Sequence, residues 1–371
     1  MNLVLQLRAW CFGALVALLA ACGPLPPLIG IDNPAVPARS VAGVSLHKVF
    51  IATTREDSEV VGALFSELRA DELGLASVTV SIPPNHEIGR LERPRSLPPD
   101  PRTEFAVVDP TIYTQDRAFL DALNRELAQR SPDQRDVLFF VHGYNTTAST
   151  AILRAAQFVE DTGFQGVPVL FTWASAGRIS EYVYDMNSAL IARPKLLQAG
   201  DLVSQSIAKG YFVFAHSMGG FLTMEGLVDA VQEGELDFND GSLEGIVLAS
   251  PDIDLDLFRS QIQQLEPLKD DIYVLLSEED YALNVSRWIA GGVPRVGAAN
   301  ADEIARLGVN AIDLTAIKDS RTDSHNKFVG SPAIVQLIGN GLNDAPDYGG
   351  REALLQELVG NLPIRVVPAG G

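Results

Sequence analysis

Residues 211–220 read YFVFAHSMGG, an apolar β-forming run that passes without a break into Ala215, His216, Ser217, Met218 and Gly219, and then into the apolar helical pattern of residues 220–231. The spacing is that of a G-x-S-x-G turn with Ala215 in the first glycine position, an exchange that adds one methyl group. Such a turn needs small residues on both sides, so that a strand and the helix leaving it can approach closely. It then lifts the serine side chain above the carboxyl edge of a sheet. So loose a pattern also arises by chance around a buried serine or a helix cap. Its place between a buried strand and an apolar helix is what selects the turn.

The surrounding sequence repeats that transition. Asp136 to Val141 (DVLFFV) is a continuous apolar run of the kind a strand buried on both faces shows, and it ends in His142, Gly143, Tyr144 and Asn145. Further strands are predicted over 167–173, 245–249, 271–276 and 311–315. Helices are predicted near 149–161, 195–208, 220–231, 257–265 and 332–342. Strand and helix in alternation imply a mostly parallel sheet with helices on both faces. Three earlier strands, over 47–53, 76–82 and 104–108, precede an amphipathic helix over 115–130 and are expected to form an antiparallel edge. With no internal repeat and no second core, the chain reads as one domain over 44–345, followed by a C-terminal extension over 346–371.

The chain has 371 residues, is 47% hydrophobic and carries a net charge of -19, with 47 acidic residues against 28 Lys and Arg. That balance repels phosphate backbones, and no basic patch offsets it, so nucleic acid is not an expected partner. The charged segment 90–102 mixes signs among prolines and reads as a solvated loop.

Met1 to Cys22 has one Arg, an apolar run of about 13 residues that is too short to span a bilayer, and a small-residue end. Leu19, Ala20, Ala21 and Cys22 resemble the lipobox of bacterial lipoproteins. Residues 1–21 are therefore expected to be a signal peptide, and Cys22 to be acylated and to hold the protein to a membrane. Gly23 after the cysteine favours the outer membrane by the same resemblance. The prolines of residues 22–43 read as a tether. Once Cys11 leaves with the signal, the mature chain has one cysteine and can form no internal disulfide.

A serine hydroxyl needs a base to take its proton and a carboxylate to orient that base. Of the five histidines, His47 and His86 read as surface or structural, and His142 and His216 as supports for the turns that hold them. His325 lies in a polar loop beyond the last predicted strand, and is the expected base. Asp280, in LLSEEDYAL, fits best as the acid in the order Ser217, Asp280, His325. Asp252 and Asp254 stand one strand earlier, and Glu278 and Glu279 are adjacent, so each remains open as the acid. The backbone amides of Met218 and Tyr144 are the expected donors to an oxyanion. Trp173, Tyr182 and Tyr184 read as core or as the lining of an acyl pocket. No H-E-x-x-H, paired cysteine or phosphate-binding G-x-x-x-x-G-K-[ST] motif is present, so neither a metal nor a cofactor is expected.

DVLFFVHGYN, VPVLFTWASAG, FVFAHSMGG, VLASPDID and DSHNKF together resemble a bacterial α/β-hydrolase family of unknown function, whose members are described only as esterase- or lipase-like. The resemblance covers roughly residues 45 to 340. It implies the α/β-hydrolase fold, a Ser217, Asp280, His325 triad and hydrolysis of an ester or related acyl bond in a small molecule. Acyl transfer within the cell envelope would use the same residues, and a non-catalytic envelope lipoprotein would keep the fold for binding.

Overall fold

The apolar runs of the sequence become the strands of one mixed sheet. A computed structural model of the protein describes residues 30–60, 62–234, 242–318, 320, 322–343 and 363–369, and the signal segment and Cys22 lie outside them. The first part of the chain forms β1 (Ser45–Asp57), β2 (Phe65–Ile82) and β3 (Ala106–Tyr113), followed by α1 (Asp116–Leu127). Then come β4 (Val137–Val141), α2 (Ala148–Thr162), β5 (Val167–Thr172), α3 (Tyr182–Ser204), β6 (Tyr211–His216) and α4 (Met218–Glu233). The last part holds β7 (Leu243–Ala249), α5 (Leu255–Gln264), β8 (Ile272–Leu276), α6 (Tyr281–Ile289), α7 (Ala301–Ala305), β9 (Asn310–Asp313), α8 (Lys327–Gly330), α9 (Pro332–Asn343) and β10 (Arg365–Val367).

Among the described residues the sheet order is β10-β9-β8-β7-β6-β4-β5-β1-β2-β3. The run from β9 to β1 is parallel, and β1, β2 and β3 pair antiparallel at one end as expected. After β4 the chain moves outward to β5, then crosses back to β6 and continues the other way to β7. The crevice between β4 and β6 is therefore the switch point where open parallel sheets bind ligands. The loops that leave these two strands are HGYN and the Ser217 turn.

The two faces of the sheet carry separate apolar clusters. Val137, Phe139, Val141 and Ala215 face α1, α3, α4 and α5, whereas Leu138, Phe140, Phe212 and Phe214 face α2, α8 and α9. Phe214 is fully buried against Phe140, Phe158 and Phe328, with ring centroids 5.6, 4.5 and 5.3 Å away. Each such side chain contributes roughly 1.5–3 kcal/mol by leaving water.

The structure revises one helix boundary and shows sheet contacts in two further segments. Helix α3 starts at Tyr182 rather than near residue 195 and carries Pro194 inside it. Its added first half buries Tyr182, Asp185, Ser188 and Ala189, and that packing outweighs the backbone hydrogen bond lost at the proline. Residues 30–43, read as tether, lie in part on the sheet: the Val107 amide donates to the Gly30 carbonyl, the Asp32 amide donates to Val107, and Ala38 is buried. This covers part of the otherwise open edge of β3. At the opposite edge β10, in the expected extension, pairs antiparallel with β9.

Candidate active site

Ser217 caps α4 with φ 54° and ψ -122°, a conformation that a residue with a Cβ adopts only under constraint. The constraint comes from both sides. The Ser217 amide donates to the Ala249 carbonyl at 2.9 Å, and its own carbonyl accepts from the amides of Gly220 (2.9 Å) and Asp252 (3.2 Å). A Cβ on Gly219 would stand 2.4 Å from the His142 carbonyl oxygen, so only glycine lets α4 leave this close to β4. A Cβ on Gly143 would stand 2.8 Å from the Ser217 Cβ, which puts the HGYN loop directly against the turn. Asn145 (φ 55°) after β4 and Ser250 (φ 46°) after β7 also have positive φ, so three of the four such non-glycine residues among the described residues follow β4, β6 and β7, the fourth being Asp109 in β3.

His325 sits in a short turn whose amides at His325 and Asn326 donate to the Asp323 carboxylate at 3.1 and 3.0 Å. Its Nδ1 is 2.8 Å from Asp280 Oδ2, while Asp280 Oδ1 caps α6 by accepting from the Leu283 amide at 3.0 Å. The fully buried carboxylate thus uses one oxygen to fix its own helix and the other to fix the imidazole. A carboxylate partner calls for the proton on Nδ1, which leaves Nε2 as the acceptor. Lys327 anchors the same loop from below through the Leu314 carbonyl at 2.9 Å and the Ser277 hydroxyl at 3.2 Å. The ring of His216, the residue before Ser217, lies with its centroid 4.8 Å from that of His325. Ser217, Asp280 and His325 therefore come from the ends of β6 and β8 and the loop after β9, at one edge of the sheet.

Burial disfavours charge on His325, but the hydrogen bond and charge of Asp280, with the charges of Asp252 and Asp323, outweigh it and leave its pKa above the ordinary 6.5. The other two histidines of the region go the opposite way. Burial, aided by the Arg55 charge, takes His142 down to about 3, and burial, aided by the charge of His325, takes His216 well below 6.5. Both are neutral supports. His142 bonds to the Gly143 carbonyl (2.8 Å) and the Thr172 hydroxyl (3.0 Å) and stacks on Trp173.

The HGYN loop rests on two buried residues that sequence reading did not single out. Asp185, on α3, accepts from the Asn145 amide (3.1 Å), the Ala176 amide (2.7 Å) and the Ser175 hydroxyl (2.5 Å). Arg55, on β1, donates to the carbonyls of Thr146 (2.7 Å) and Ser175 (3.0 Å). Burial lowers the Arg55 pKa to about 10 against the opposing charge of Asp185. Neither stands out in the sequence: Arg55 opens the charged run Arg55-Glu56-Asp57, and Asp185 shares its helix with Arg193, Lys195 and Asp201. Met218 is the first residue of α4, where a helix amide has no intrahelical acceptor. Tyr144 lies in the loop pressed against Ser217, and its hydroxyl donates to the Ile179 carbonyl.

The alternative acids are committed elsewhere. Asp252 accepts from the hydroxyls of Tyr182 (2.9 Å) and Ser286 (2.5 Å) and pairs with Arg295 at 3.3 Å. Asp254 caps α5, Glu278 accepts from Asn300, and Glu279 pairs with Lys318. The aromatic residues considered for an acyl pocket have structural duties. Trp173 is buried and donates to the His142 carbonyl, Tyr182 holds Asp252, and Tyr184 stacks under Arg69. His47 pairs with Glu160 at 2.5 Å, and His86 lies between Glu92 and Asp161 at 2.7 Å from each. Among the described residues, no group of three or more His, Cys, Asp or Glu side chains is placed to hold a metal ion.

Residues 116–341 match the model of a family described as alpha/beta hydrolase of unknown function (DUF900). No curated protein was found to match the chain. Among solved structures it is similar to a "putative cell surface hydrolase from Lactobacillus plantarum WCFS1", at 13% identity and a TM-score of 0.36, over 63% of this chain and 98% of that one.

Proposed function

The chain belongs to this family of alpha/beta hydrolases of unknown function, and on that premise we propose that it cleaves carboxylic esters through an acyl-serine intermediate on Ser217. The observation that carries the reading is the 2.8 Å contact of His325 Nδ1 with buried Asp280, on a loop packed against the residue that precedes Ser217. Ser217 Oγ attacks the ester carbonyl as its proton passes to His325 Nε2. The oxyanion of the tetrahedral intermediate takes hydrogen bonds from the Met218 and Tyr144 amides. When the intermediate collapses, the C–O bond to the alcohol breaks and His325 returns the proton to the departing oxygen. Water, deprotonated by His325, then frees the carboxylic acid and restores Ser217. Two apolar residues flank these elements, both largely exposed: Ile179 (78%), whose carbonyl receives the Tyr144 hydroxyl, and Tyr281 (77%), next to Asp280. They suit an acyl group with an apolar portion.

A serine-directed phosphonate should add one probe mass to the signal-free protein, at a peptide containing Ser217. A folded protein that takes up no probe at pH 8 would overturn the reading. The acid limb of kcat/KM should follow His325. Neutral imidazole is the active form, so activity is lost as the pH falls through a pKa raised above 6.5. A profile that stays flat from pH 8 to about pH 5 removes His325 as the base.

We further propose that residues 1–21 are a signal, that Cys22 is acylated, and that the enzyme works from the bacterial cell envelope. Among the described residues no helix is long and apolar enough to cross a membrane, so attachment by this reading depends on the acylated cysteine. The full-length protein should sediment with membranes, and Cys22→Ser should move to the soluble fraction. Equal partitioning of the two removes the anchor.

A further inference from the structure

A cleft of about 430 Å³ lies between the turn at residues 87–91, helix α2 and the loop that carries His325, and is lined by Glu87, Gly89, Arg90, Leu91, Arg154 and Thr322. Arg154 projects into it with most of its hydrogen-bonding capacity unused. A guanidinium has five N–H donors, and among the described residues Arg154 makes one hydrogen bond, from Nη1 to Gln157 Oε1 at 2.7 Å, and no ion pair. One turn earlier on the same helix face, Thr150 accepts from Arg93, which also has no ion pair among the described residues. The segment carrying Arg93, expected as a solvated loop, thus turns one of its arginines inward.

Two neighbouring, half-buried guanidinium groups with no ion pair among the described residues are costly to hold together. Burial lowers the pKa of both, and for Arg154, with Arg93 pushing the same way and the charges of Asp161 and Asp323 opposing, it falls to about 10. The nearby carboxylates are engaged. Glu87 is met by Arg90 at 3.4 Å. Asp161 serves His86, Gln157 and the Gly89 amide, and Asp323 caps the His325 turn. The cleft also adjoins the chemistry: Thr322 bonds to the Asn326 carbonyl at 2.9 Å within the His325 loop, and the Arg154 charge reaches His216, beside Ser217.

We propose that this cleft binds an oxyanion of the substrate, a carboxylate or phosphate held by Arg154 with Arg90 on the opposite wall, so that the enzyme prefers anionic acyl esters to neutral ones. The inference rests on the ester-hydrolase reading for its substrate and on Arg154 and Arg90 for its binding site. A planar fork of donors is the group best matched to such an anion, and the bound oxyanion supplies the direct ion-pair partner that Arg154 lacks among the described residues.

Two measurements separate the two claims. Calorimetric titration of Ser217→Ala with inorganic phosphate and with glutarate, at constant ionic strength, should show saturable binding of at least one anion. Arg154→Gln in that background should weaken it about 10- to 100-fold, the loss expected for a charge-assisted hydrogen bond. On the active enzyme, Arg154→Gln should lower the ratio of kcat/KM for mono-4-nitrophenyl glutarate over that for 4-nitrophenyl butyrate by a similar factor. Arg90→Gln, on an exposed side chain, should lower the same ratio less and provides the reading if Arg154→Gln does not fold. Arg154-dependent binding without turnover of either ester supports the anion site and overturns the hydrolase reading. Turnover of both esters with a ratio that neither variant changes overturns the proposal, as does the absence of saturable anion binding.

Discussion

Replacing Ser217 by alanine should lower ester turnover by roughly 10⁴- to 10⁶-fold and leave the melting temperature nearly unchanged. The first half of this expectation follows from the chemistry. Without Oγ no acyl-enzyme can form, and what remains is catalysis by binding and by amides aimed at an oxyanion. The second half follows from the backbone. Ser217 holds a positive φ because of the hydrogen bonds to Ala249, Gly220 and Asp252 and the close seating of Gly143 and Gly219. A residue in such a conformation costs about 1–3 kcal/mol, and alanine bears the same penalty as serine because both carry a Cβ. Steady-state kinetics on a 4-nitrophenyl ester beside a thermal melt reads both quantities. Turnover within tenfold of wild type in a protein with an unchanged melt removes Ser217 as the nucleophile.

Asp280→Asn should lower kcat by roughly 10⁴-fold while the fold stays intact. The amide has the same shape, and its carbonyl oxygen can still cap α6 at the Leu283 amide, because Asn and Asp are about equally good at that position. The contact to His325 changes character. An amide NH₂ facing Nδ1 selects the tautomer with its proton on Nε2, and that nitrogen can no longer take the Ser217 proton. The pH profile supplies a readout that simple loss of packing would not move. The Asp280 hydrogen bond and charge are the main groups holding the His325 pKa up against burial, so the acid limb of the residual activity should shift to lower pH. A loss below tenfold with an unmoved limb would return the role of acid to another carboxylate, with Asp252 the nearest rival.

Much of this candidate site is legible in the sequence because the residues proposed for it are bound to local patterns. A nucleophile turn must follow a buried strand and precede a helix, and FVFAHSMGG states both in one window. DVLFFVHGYN is readable for the same reason, since a strand buried on both faces is a continuous apolar run and its exit loop follows at once. His325 could be placed by order along the chain. Asp280 could not be separated from Asp252, Asp254, Glu278 and Glu279, because pattern specifies the end of a strand and not which carboxylate beyond it turns inward. Arg55 and Asp185 were invisible. Their partners lie in segments remote in sequence, such as Thr172, Ser175 and Thr146 for Arg55 on β1. The sheet contacts of residues 30–43 and β10 were not readable for a related reason: these segments lack a strong period of their own and lie on open edges of the sheet.

The amino-acid sequence by itself determined the alternation of strands and helices, the strand-to-helix turn at Ser217, and the order of Ser217, Asp280 and His325 along the chain. These follow from side-chain periodicity and from steric rules acting over a few residues. The tertiary structure alone decided that Asp280 is the carboxylate bonded to the His325 ring, that Arg55 and Asp185 hold the HGYN loop, and that Arg154 has no ion pair among the described residues beside the histidine loop. Each of these depends on which groups from distant segments share a space closed to water. Hydrogen-bond geometry and desolvation, which act through space, settle that, and no local pattern encodes it.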